Sequence, residues 1–196
     1  MISFGGLITA DISEEVLKVN GDGSFTVFAS TENQVVILGG PAVPAGVAPG
    51  IESTYAASGQ ILKIESAQMD ADAYRFASLM NIMWPRRQVH ADWVWTIDSG
   101  LSVSSSWTVK TDADSDKGTF DMTFSYRILG RETSHGFDCF KIKFENRETS
   151  GGGASSEGTV WIDVKTGLTV KVDGDVYGAP MMGRAIDGHF LMELED

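Results

Sequence analysis

Three stretches of this chain carry residue types that do chemistry elsewhere, and each lacks a partner that the chemistry needs. Asp112-Ala113-Asp114-Ser115-Asp116-Lys117-Gly118 alternates its carboxylates as a calcium loop does, where hard oxygens converge on one cation. Its glycine falls one residue late, however, and Thr123 stands where the closing bidentate glutamate belongs. The spacing therefore predicts an acidic hairpin loop, with calcium binding as the alternative. His90 and Asp92 could supply two metal ligands, but a zinc site needs at least three from the protein, and His135 and His189 are remote in sequence. The expectation is a histidine on a solvated strand face. Gly151 to Gly158 is neither a nucleophile elbow nor a phosphate loop, because no serine occupies the G-x-S-x-G frame and no Gly-Lys-Ser/Thr follows. The lone Cys139 excludes an internal disulfide and reads as a small buried thiol in a strand. Many serines and three histidines single out no triad. No catalytic residue, metal or cofactor is assigned.

The elements that position these residues are mostly strands. Glu157 to Tyr177 is the clearest unit: Val160, Ile162 and Val164 alternate with polar residues and Trp161, as do Leu168, Val170 and Val172, around a turn at Lys165-Thr166-Gly167. That pattern predicts an antiparallel hairpin with one buried and one wet face. Asn20-Gly21-Asp22-Gly23 predicts the turn of a second, long hairpin reaching from Leu7 towards Leu38. Gly39 to Gly50, with three prolines, reads as a loop or extended edge, followed by strands on either side of a turn at Ser58-Gly59. A meander closes the chain. Val103 to Lys110 leads to Thr119 to Leu129, with Phe120, Met122, Phe124, Tyr126 and Ile128 inward; Phe137 to Glu145 follows, with Phe140, Ile142 and Phe144 inward, and the last strand is Ile186 to Leu194.

One helix is predicted between Ser66 and Trp84. Ser66 would cap it, Met69, Ala73, Phe76, Met80 and Met83 share one face, and Pro85 would end it. The indoles of Trp93, Trp95 and Trp161 are expected at a sheet rim or groove. Similar hairpins around Gly21 and Gly136, and turns at Gly59 and Gly167, suggest one domain of two pseudo-repeated halves, 1–84 and 85–196.

Composition narrows the function classes. With 196 residues and 42% hydrophobic content the chain buries a sizeable core. A net charge of −12 and one adjacent basic pair, Arg86-Arg87, argue against a nucleic-acid partner. No apolar run approaches the roughly 18 residues of a membrane span, and no secretory leader pattern opens the sequence.

Trp84-Pro85, Val89-His90-Ala91-Asp92-Trp93, the run Tyr126 to Glu132, Gly136 to Ile142, and Gly158 to Gly167 together resemble a family of uncharacterised bacterial exported β-rich proteins, similar in layout to LolA/LolB-like lipoprotein carriers. The resemblance covers most of the chain from Leu7 onward. It implies a mainly β (α+β) fold: a strongly curved antiparallel sheet or half-open barrel of about 8–11 strands with one covering helix. It also implies a periplasmic or extracellular location, with the cytoplasm as the alternative. The expected function is non-enzymatic, the binding of a lipid or other apolar ligand on the concave face. Phe76, Met80 and Met83 from the helix and Phe120, Met122, Phe124, Phe140, Ile142 and Phe144 from the sheet would line the site. The alternative is a protein–protein interaction or assembly module using exposed strand edges and surface tryptophans.

Overall fold

The computed structural model describes residues 6–38, 43–44, 48–65, 70–83, 87–89, 95–97, 101–181 and 183–195. It is mainly β. Strands β1 (Gly6–Val19), β2 (Phe25–Leu38), β3 (Val43–Pro44), β4 (Ala48–Tyr55) and β5 (Ile61–Glu65) precede the single helix of the described residues, α1 (Ala71–Met80). After it come β6 (Arg87–Val89), β7 (Trp95–Ile97), β8 (Ser106–Thr111), β9 (Met122–Ser134), β10 (Phe137–Glu148), β11 (Ser155–Asp163), β12 (Thr169–Met181) and β13 (Arg184–Glu193). The first sheet runs β1-β2-β4-β5, with β3 also pairing β2; the second runs β13-β12-β11-β10-β9-β8; β6 and β7 pair with each other. Every ladder is antiparallel. The described strands form open sheets, not a closed barrel.

Turn chemistry explains the connections. Asn20 accepts from the Gly23 amide, Asp22 accepts from the Ser24 amide and hydroxyl, and Gly23 takes φ +81, so the chain reverses between Val19 and Phe25. His135 and Gly136 both have positive φ, as a two-residue hairpin turn requires. In the β11–β12 turn, Asp163 accepts from the Thr166 amide and hydroxyl, and Gly167 takes φ +74.

Several expectations are corrected. The helix starts five residues later than Ser66: Asp70 is the N-cap, accepting from the Ala73 amide at 2.9 Å, and Ser66 itself lies outside the described residues. It ends at Met80, so Met83 lies beyond the helix, although it is buried. Of the two readings of the proline-rich segment, its described residues follow the extended one, forming β3 and the start of β4. Strand β9 begins at Met122, which leaves Phe120 before it. A register shift between Trp161 and Ile162 leaves Val170 without a pairing partner; Val170 packs with Cys139 and Trp161, apart from the core that holds Val172.

One core spans both sheets. Phe124, Ile128, Ile142, Phe144, Val160, Ile162 and Val172 from the second sheet join Val16, Phe25 and Val27 from the first, with Leu79 of α1 and Met83 between them. A close pair of glycines makes room for the rings: a Cβ on Gly158 would meet the Asp173 carbonyl oxygen at 2.3 Å, and one on Gly174 would meet Phe190 and Phe144.

Candidate functional site

The region under α1 is built by anchoring the helix to both sheets. Arg75 donates to both carboxylate oxygens of Glu148, at 2.8 and 2.9 Å, and its guanidinium lies 4.7 Å from the centre of the Phe120 ring. The Glu148 side chain is almost wholly buried and also accepts from the Ala154 amide. Bonding to Glu148 raises the Arg75 pKa. At the other end of the helix, Asn146 Nδ2 donates to the Leu79 and Asn81 carbonyls and the Ser156 hydroxyl donates to Leu79 at 2.6 Å. These sheet side chains satisfy the carbonyls that a helix C-terminus leaves open. On the side of the first sheet, Tyr74 Oη accepts from the Ile64 amide and donates to its carbonyl, and Asn81 Nδ2 donates to Gly59.

The nine expected lining residues divide under this lid. Met83, Met122, Phe124, Phe140, Ile142 and Phe144 are buried in the core, and Phe76 and Met80 are half-buried against it. Phe120 is half-buried at the margin, under Arg75. Sequence reasoning missed Leu79, the buried residue of the helix, and the polar pair Asn146 and Ser156 that holds its carbonyl. Leu79 lies three residues after Phe76, a signal that the methionine spacing obscured. The cleft at this margin, bordered by Tyr74, Ser78, Asn81, Met83, Phe120 and Phe124, has a volume of about 50 Å³.

The other candidates resolve locally. Asp114 accepts from the amides of Asp116 and Lys117 and from Lys117 Nζ, which holds its carboxyl below the usual range; the Ala113 amide donates to Asp121. Asp114 thus spends its carboxylate on its own turn, and no cluster of three metal-ligating side chains occurs among the described residues. Cys139 is buried, and desolvation pushes its thiol up, away from nucleophilic reactivity. Trp161 is no exposed rim indole: it is 8% accessible, lies between the ammonium groups of Lys141 and Lys171 at 5.1 and 5.6 Å, and donates to Glu132. His90, Asp92, Trp93 and the indole of Trp95 fall outside the described residues.

The strand edge of the alternative reading has a definite form. β1 is the outermost strand of the first sheet, and all its residues but Val16 are exposed. Ile8 and Ile12, 52% and 59% exposed, extend the face on which Val16 enters the core, and Leu7 and Leu17 are also exposed. No protein-family model, curated protein or solved structure matches this chain.

Proposed function

We propose that this chain is a non-enzymatic interaction module that takes a partner strand along the free edge of β1. The observation that carries the reading is β1 itself: 14 residues long and outermost in its sheet, it keeps its apolar side chains in solvent. A long edge with unpaired amides and carbonyls and exposed aliphatic residues is the surface on which strand addition works. Near the helix, Ser156, Glu148, Arg75 and the Asn146 amide nitrogen hold α1.

The cleft beside α1 gives the ligand reading less support. A pocket for a small apolar molecule occupies roughly 300 Å³ or more, against the cleft of about 50 Å³ found here. Carriage of an acyl chain would require α1 to lift and break its bonds to Glu148, Asn146, Ser156 and Ile64 together. The envelope or extracellular location implied by the resemblance belongs to the proposal, and fractionation of cells expressing the tagged chain tests it.

Native mass spectrometry of the purified chain distinguishes the two readings in one spectrum. Peptide or protein adducts, or a self-associated species, that vanish in the doubly substituted Ile8→Lys, Ile12→Lys chain support the edge reading. A lipid adduct on a monomer, unchanged by those substitutions, overturns it.

A further inference from the structure

The edge of β1 is complementary to itself, and we infer that its partner is a second copy of this chain, paired antiparallel about a two-fold axis through Ile12. This inference rests on the edge reading above and adds the identity and register of the partner. Consider β1 laid against its own copy so that Ile12 faces Ile12. Ile8 then faces Val16, Thr9 faces Glu15, Ala10 faces Glu14 and Asp11 faces Ser13. The branched aliphatic residues Ile8, Ile12 and Val16 meet one another, Ala10 meets Glu14, and no carboxylate directly opposes another, which matters because like charges directly opposite destabilise a ladder.

Neighbouring registers do worse. Moving the centre from Ile12 to Ser13 sets Asp11 against Glu15 and Ile8 against Lys18, each twice by symmetry. Moving it the other way, to Asp11, sets Asp11 against its own copy. The arrangement centred on Ile12 also places its apolar pairs sensibly. Ile8, Ile12 and Val16 lie on one face of β1, and Val16 is already buried against Val27. Pairing would extend this buried stripe across the axis and cover two isoleucines that are now more than half exposed.

The backbone permits it. The irregularity near Ala10 sets Asn33 and Gln34 of β2 against one β1 residue, so the extra length is in β2. The bulge in β1 itself comes at Leu17, after the regular stretch that would pair. Among the described residues no strand occupies the outer side of β1. The product would be two β1-β2-β4-β5 sheets joined into one, which covers the β1 edge of each copy and, through its two-fold symmetry, closes that contact at two copies.

Single-cysteine cross-linking of the full chain reads the register directly, with little background because Cys139 is buried. Ile12→Cys is expected to form a covalent dimer on mild oxidation. Thr9→Cys and Glu15→Cys, both at exposed positions, should cross-link when mixed, and far more weakly alone. Sedimentation velocity should show a monomer–dimer equilibrium that Ile12→Lys weakens by about tenfold or more, through two opposed ammonium groups; unchanged near-ultraviolet circular dichroism would show that the variant still folds. With −12 on each chain, added salt should strengthen the dimer by screening repulsion.

A monomer at all concentrations up to about 100-fold above those typical of micromolar association, with no cross-link at position 12, overturns self-pairing. If that monomer still binds an extended peptide in a manner abolished by Ile12→Lys, the edge reading survives and only the identity of the partner is wrong. If neither occurs, both readings fall. A dimer that cross-links elsewhere and ignores Ile12→Lys also overturns the inference.

Discussion

The two sheets use similar antiparallel meanders for opposite ends. In the second sheet, β9 to β12 send Phe124, Ile128, Ile142, Phe144, Val160 and Val172 into a core closed by Leu79 of the helix. In the first, β1 has 14 residues and buries one of them, Val16. Both contain alternating aliphatic side chains, so composition does not separate them; cover does. The helix lies against β11 and β12, and no described element covers Ile8 and Ile12. A sheet face without cover contributes little to its own stability and is left available for another surface.

The largest effect should come from emptying the covered side. Phe144 is 1% exposed, lies over the Gly158 and Gly174 pair and packs 6.4 Å from the Phe190 ring. Phe144→Ala is expected to cost about 3–5 kcal/mol through lost burial and an unfilled cavity. Ile12→Ala, read under conditions where the chain is monomeric, should change stability by no more than about 0.5 kcal/mol. Urea denaturation measures both, and similar losses would break the contrast between the sheets.

The anchor of the lid comes next. Glu148→Ala removes one partner of a buried ion pair and leaves Arg75 facing Phe120 and the loop beyond β10, at a cost of about 3 kcal/mol. Replacing both, Arg75→Met with Glu148→Leu, should recover most of that loss, because no uncompensated charge remains. The Ala154 amide, which bonds Glu148, would still lack its acceptor at about 1 kcal/mol. Failure of the double change to recover stability would mean that the pair fixes the helix position as well as balancing charge. Gly158→Ala should follow, at about 1–3 kcal/mol, since the new methyl meets backbone atoms of Asp173 and Gly174 that a side-chain rotation cannot move. The equivalent change at Gly21 meets nothing within 4 Å; Gly21→Ala in the first hairpin should be close to neutral in the same denaturation assay.

How much of this was legible in the sequence follows from the range of the interactions. The hairpins at Asn20–Gly23, His135-Gly136 and Lys165–Gly167 were readable because turn chemistry is local: a side-chain acceptor and a positive φ within a few residues. The inward residues of β9 and β10 were readable because alternation over Met122 to Ile128 and Phe140 to Phe144 has a single solution. The helix boundaries were not, since Ser66 and Asp70 both suit an N-cap and only tertiary contacts select between them. Nor was the role of Asn146: it alternates as an inward residue, but its task depends on Leu79, 67 positions earlier. Trp161 read as a rim indole because its strand places it outward, and the two lysines that cover it come from β10 and β12. The exposure of β1 was hidden for a related reason, since alternating isoleucines look the same whether or not another element covers them.

The smallest effect concerns the outward faces, where the contrast takes an electrostatic form. On the second sheet Glu132 accepts from Trp161 and from Lys141, and these bonds lower its pKa below the usual 4.5 of a glutamate. A carboxyl with a depressed folded pKa contributes stability above its unfolded pKa and loses it as pH falls through the folded one. On the first sheet the strand register sets Glu15, Phe28, Glu52 and Glu65 in one row, with Lys63 bonded to Glu65 as the nearby cation. Acid titration below pH about 4.5 should therefore disturb Trp161. The tryptophan fluorescence change should disappear in Trp161→Phe and shift to higher pH in Lys141→Met, because removing the ammonium removes part of what holds the carboxyl ionised. An acid transition in Trp161 emission that ignores Lys141 would mean that the indole is held by packing against Cys139 and Val170 alone, and that the charged outer face of the second sheet is as loosely organised as that of the first.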